Sequence, residues 1–142
     1  MKTLIRNGHV LDTATMTMGG ETNLLIEDGR IARLDADAAT DADLVIDADG
    51  QFVLPGLIDA HVHFRLATLD FSRLAVWTEV EYGIAMARLA RETLARGFTT
   101  VRDIGGDVRG LMRAIRTGAI PGPRIFHAGR MLSQTGGHAD AE

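Results

Sequence analysis

Short apolar runs broken by turn pairs fill the first third of the chain, and longer runs of alternating period fill the rest. In the first part, Thr3 to Arg6 and His9 to Leu11 flank Asn7-Gly8, and Asn23 to Glu27 and Arg30 to Leu34 flank Asp28-Gly29. Leu44 to Asp47 and Gln51 to Leu54 flank Asp49-Gly50. Asn-Gly and Asp-Gly suit two-residue type I′ turns, whose central residues both take positive φ. Three such signals predict hairpins in a small antiparallel sheet. Residues 13–22 contain Gly19-Gly20, show no period and read as a loop.

At Pro55-Gly56 the pattern changes. Leu57-Ile58 opens an apolar run that leads into Asp59-Ala60-His61-Val62-His63. Phe71, Leu74 and Trp77 are spaced as a short helix. Tyr82, Met86, Leu89, Ala90 and Thr93 form one stripe, which predicts a helix from about Glu79 to Arg96 closed by Gly97. Phe98 to Asp103 is a β-rich run. Asp107 is placed to cap a second helix, with Val108, Leu111, Met112 and Ile115 inward and Arg109, Arg113 and Arg116 outward. Pro121-Gly122-Pro123 prevents its continuation, Arg124 to Ala128 reads as a third strand, and Met131 to Glu142 as a loop. The order strand, helix, strand, helix, strand means an α/β unit with a parallel sheet and right-handed crossovers. The doubly wound sheet and the eight-stranded barrel share this run.

The histidine pair carries the chemistry. On a strand, Asp59, His61 and His63 face one way, and the two imidazoles can converge on one ion. Neutral imidazole is a common ligand of divalent transition metals. Two nitrogens make only half of a catalytic metal site, which usually has three or more protein ligands. Asp103 ends the second strand, where it can orient a ligand or pair with Arg102 or Arg124. His138 follows Gly136-Gly137 in the loop after the third strand, a place from which polar residues touch substrate. His9 reads as a surface strand residue and His127 as core. Gly105-Gly106-Asp107-Val108-Arg109-Gly110 departs from Gly-x-Gly-x-x-Gly and precedes no P-loop lysine, so a tight turn is favoured over a phosphate cradle. The acidic run from Asp35 to Asp49 has Val45 where an EF-hand needs its first aspartate.

Bulk properties narrow the function classes. The 142 residues suit one domain or one and a half. Fifteen Lys and Arg against nineteen Asp and Glu give a net charge of −4, with no basic face for nucleic acid. The absence of cysteine removes disulfides, thiolate metal sites and cysteine nucleophiles. No window approaches the roughly 18 apolar residues of a membrane span. The N-terminus turns polar too soon for a secretory signal. A soluble, cytoplasmic protein is expected, with no membrane or nucleic-acid partner.

Pro-Gly-Leu-Ile-Asp-Ala-His-Val-His at 55–63 resembles the signature that opens the barrel in the amidohydrolase superfamily. The preceding segment resembles that superfamily's small β-sandwich domain. Gly97 to Asp103, Gly122 to Ile125 and Thr135 to Asp140 resemble the branch of imidazolonepropionase and the metal-dependent Xaa-Pro dipeptidases. The resemblance implies that 1–54 is the N-terminal part of the β-sandwich domain and 55–142 the first part of a (β/α)8 barrel. It also implies one or two zinc-type divalent ions and hydrolysis of an amide, peptide or cyclic amide in a small molecule or dipeptide, with oligomers possible. His61 and His63 match the first-strand metal ligands; Asp59, Asp103 and His138 are candidates to support them or touch substrate. The family also needs a lysine, two more histidines and a catalytic aspartate. The only lysine is Lys2, so these are expected beyond Glu142, and the chain is expected to be an N-terminal fragment, inactive by itself. A non-catalytic relative acting as a binding module is the alternative.

Overall fold

The computed structural model describes residues 1–137. The chain divides into two compact units, Met1–Pro55 and a second beginning at Gly56. Among the described residues, no helix is long and apolar enough to cross a membrane.

The first unit is one five-stranded mixed sheet. β1 (Lys2–Asp12) lies between β2 (Thr17–Glu27) and the pair β4 (Leu44–Asp47) and β5 (Phe52–Val53), while β3 (Arg30–Leu34) extends the sheet beyond β2. Leu4, Leu25 and Ala36 are buried together, with Ala42 packed against them.

Of the three turn pairs, only Asp28-Gly29 makes the expected hairpin, with φ of 49° and 76° between antiparallel β2 and β3. Asn7-Gly8 instead lies inside β1, where the register with β2 slips. There Asn7 takes φ 56°, its N–H donates to Asn23 Oδ1 at 3.1 Å, and its Nδ2 donates to Asp47 Oδ1 at 2.9 Å. Positive φ at this position thus serves a bulge rather than a turn. Asp49-Gly50 also takes positive φ, but it joins two strands that both run parallel to β1. The sheet is therefore mixed, not antiparallel. Residues 13–22 are not all loop either: the turn is confined to 13–16, and β2 begins at Thr17.

The second unit follows the predicted order closely. β6 (Leu57–Val62), β7 (Phe98–Asp103) and β8 (Arg124–His127) form a parallel sheet in that order. A short helix α1 (Phe71–Leu74) precedes α2 (Glu79–Ala95), and α3 (Arg109–Arg116) connects β7 to β8. Thr78 and Glu81 close a capping box at the start of α2. Gly97 follows the helix with φ 91°, a value glycine adopts without strain. Asp107 precedes α3 and accepts the Arg109 N–H at 3.0 Å, and hydrogen bonds from Arg109 hold its carboxyl far below the usual range. Phe64, Met86, Ala90, Val101, Val108, Leu111 and Ile125 form the core between helices and sheet. This strand and helix order is that of the opening units of a (β/α)8 barrel.

Candidate metal centre

β6 ends at Val62, and the chain there leaves the sheet. The register between β6 and β7 slips between Asp59 and Val62: Asp59 faces Val101 and Val62 faces Asp103, so β6 carries one extra residue. Bulges of this kind re-aim side chains next to active sites. His61 and His63 flank Val62, and their Nε2 atoms lie 3.3 Å apart with the rings inclined at 75°. His63 Nδ1 is buried and has no hydrogen-bond partner among the described residues. It lies against Gly105, where an added Cβ would come within 2.4 Å of it.

The pair suits a divalent ion. Two nitrogens each about 2.0–2.1 Å from a tetrahedral ion lie about 3.3–3.4 Å apart, close to the separation observed. Ligation uses neutral imidazole, and the two Nε2 atoms, 3.3 Å apart and within hydrogen-bond distance of each other, are close enough to share one ion. Among the described residues, no cluster of three or more His, Cys, Asp or Glu is present.

The other predicted residues take different places. Asp59 accepts the His61 N–H through Oδ1 at 3.0 Å, so its carboxylate braces the strand end. Asp103 is fully buried, and pairs with neither Arg102 nor Arg124 in any hydrogen bond: its Oδ2 accepts the Phe64 N–H at 2.7 Å and its Oδ1 the Gly105 N–H at 3.0 Å. A buried carboxylate satisfied by two main-chain donors is a fastener between the loops that follow β6 and β7. His138 lies outside the described residues. His127, expected in the core, is half-buried beside α3, with its Nδ1 buried and without a hydrogen-bond partner among the described residues.

Three residues that the sequence did not assign to the site also shape it. Arg102 Nε donates to Ala60 O at 2.8 Å. Gly105 makes room for the His63 ring. Arg65, two residues after His63, pairs with Glu79 and lies 4.3 Å from the Tyr82 ring centroid. The hydrogen bond to Arg65 holds the Glu79 carboxyl below its ordinary value. Gly106, with φ 101°, sits against the Arg65 side chain, so Gly105-Gly106 is a tight turn shaped around His63 and Arg65. The spacing from His63 to Arg65 was visible in the sequence, but the contacts depend on how β7 and α2 approach it.

Residues 52–142 match the amidohydrolase family. The chain is similar to dihydroorotase of Aquifex aeolicus, at 33% identity over 101 residues, covering 71% of this chain and 21% of the relative. It is similar in structure to a prolidase complexed with N-methylphosphonate-L-proline, with a TM-score of 0.89 and 35% identity, covering 100% of this chain and 35% of the other. A Xaa-Pro dipeptidase with methionine bound in its active site gives a TM-score of 0.86 and 35% identity, covering 99% of this chain and 36% of the other. The chain thus spans about a fifth of the length of that curated relative and about a third of those solved structures.

Proposed function

Since the chain belongs to the amidohydrolase family, we propose that it is the N-terminal part of a metal-dependent enzyme that hydrolyses a carbon–nitrogen bond in a small molecule or dipeptide. The observation that carries this reading is the convergence of His61 Nε2 and His63 Nε2 to 3.3 Å at the end of the first strand of a βα series. The similarity to dihydroorotase, a prolidase and a Xaa-Pro dipeptidase supports amide, peptide or cyclic amide substrates.

In this reading His61 and His63 are two of the metal ligands, and zinc suits their chemistry. The chemistry that a divalent ion held by His61 and His63 would supply is a bound water with its pKa brought toward neutrality and a polarised scissile carbonyl. The chain's own residues hold the ligands in place: Asp59 fixes the His61 main chain, and Asp103 fixes the main chain after His63. His138, which follows Gly136-Gly137 in the sequence, is assigned in this reading to contact substrate. The remaining ligands and the proton-transferring group are assigned to the chain beyond Glu142.

The test is hydrolysis by the complete protein of Xaa-Pro dipeptides, N-acyl amino acids and cyclic amides, as prepared, after chelator treatment, and after zinc is restored. Turnover that disappears with the metal and returns with it is expected. Turnover unaffected by complete metal removal overturns the reading.

A further inference from the structure

Arg102 and Asp103 end β7 with opposite exposure: Arg102 is exposed and Asp103 is fully buried. Both reach the main chain of the strand end that carries the histidines. Arg102 donates to the carbonyl of Ala60, immediately before His61. Asp103 accepts the N–H of Phe64, immediately after His63. The two contacts bracket His61-Val62-His63 on the stretch where β6 slips register against β7. A bulge leaves part of a ladder unpaired, and charged side chains supply strong hydrogen bonds there. The same Asp103 carboxylate binds Gly105, which lies against His63 Nδ1.

We infer that Arg102 and Asp103 form a main-chain clamp that sets the spacing of the two histidine tips, and that Arg102 is a positioning residue for metal affinity. This rests on the reading of His61 and His63 as metal ligands. Outer partners of metal ligands typically change affinity by about 10–100-fold when removed. Asp103 is buried, and its replacement disturbs the fold as well as the site. Arg102 is exposed and separates the two effects.

The experiment uses the complete protein stripped of metal and titrated with Co²⁺ in the presence of a competing chelator. Visible absorption reads the coordination, and thermal melts of the metal-free protein read the fold. Arg102→Met is expected to weaken Co²⁺ binding at least tenfold and to alter the Co²⁺ spectrum, with the metal-free melt unchanged. Arg102→Lys, which keeps a donor for Ala60 O, is expected to recover much of the affinity; it also carries the test if Arg102→Met does not fold. Wild-type Co²⁺ affinity in Arg102→Met overturns the clamp, and so does a loss of affinity that merely follows a lowered melt and is not recovered by lysine. Retained binding in His61→Ala/His63→Ala overturns instead the ligand reading beneath it, so the two failures are distinguishable.

Discussion

The Arg65 guanidinium grips the Glu79 carboxylate through two parallel hydrogen bonds, tying the turn after His63 to the first turn of α2. The Tyr82 ring backs the guanidinium one helical turn further on. This ties the candidate metal centre to a helix rather than leaving it on a free loop.

The pairing has a predictable pH dependence. Arg65 lowers the folded-state pKa of Glu79, so the stabilisation is fully present above the ordinary glutamate value of about 4.3 and is lost as pH falls through the lower folded value. Glu79→Gln is expected to melt below wild type at pH 7, with the gap closing as the pH drops beneath the glutamate range. Added salt narrows it as well, because the carboxylate is exposed. Thermal melts across pH check this, and a gap independent of pH contradicts it.

Replacing both histidines tests the ligand assignment. His61→Ala/His63→Ala in the complete protein is expected to remove tightly bound metal and hydrolytic activity together. Elemental analysis decides the point, and unchanged metal content refutes the assignment.

Gly105→Ala isolates the space behind His63. The new methyl would lie 2.4 Å from His63 Nδ1 and 3.2 Å from Met131 Sδ. The Gly105 φ is not in the left-handed region, so the cost arises from the imidazole and not from backbone strain. Metal affinity is expected to fall at least tenfold while the far-ultraviolet circular dichroism is kept. Metal titration beside that spectrum measures both.

The 142-residue polypeptide expressed by itself is expected to self-associate and to show no turnover. Ile58 is 72% exposed and Phe126 58% exposed, and such apolar surface drives association. Sedimentation velocity and a substrate assay test this. An active monomer that unfolds cooperatively contradicts it.

The second unit was readable because two periods alternate there. β7 spans the predicted residues, α2 ends within one residue of its expected limit, and the Tyr82 to Thr93 stripe faces the core through Met86 and Ala90. The first unit was harder. Asn7-Gly8 and Asp49-Gly50 have turn chemistry, but that chemistry specifies only positive φ; it does not say whether the next strand folds back on the last. The first residues of β2 were invisible because Thr17 to Glu21 are exposed and held by main-chain pairing to β1, leaving no apolar alternation to read. At the site, the His61 and His63 pair was legible from its spacing. The Arg102 contact and the Gly105 cradle were not, since both depend on how the end of β7 and the loop after it approach the end of β6, which no spacing announces.

β6 is an edge strand: β7 lies on one side, and among the described residues no strand pairs with the other. In a closed eight-stranded barrel, the outer neighbour of the first strand is the last one. In such a barrel the end of β6 that carries the histidines would lie at the seam where the ring shuts, although it is made early in synthesis. With His61 and His63 as the proposed ligands, ion capture is expected late in the folding of the complete protein, and metal uptake followed during refolding tests this.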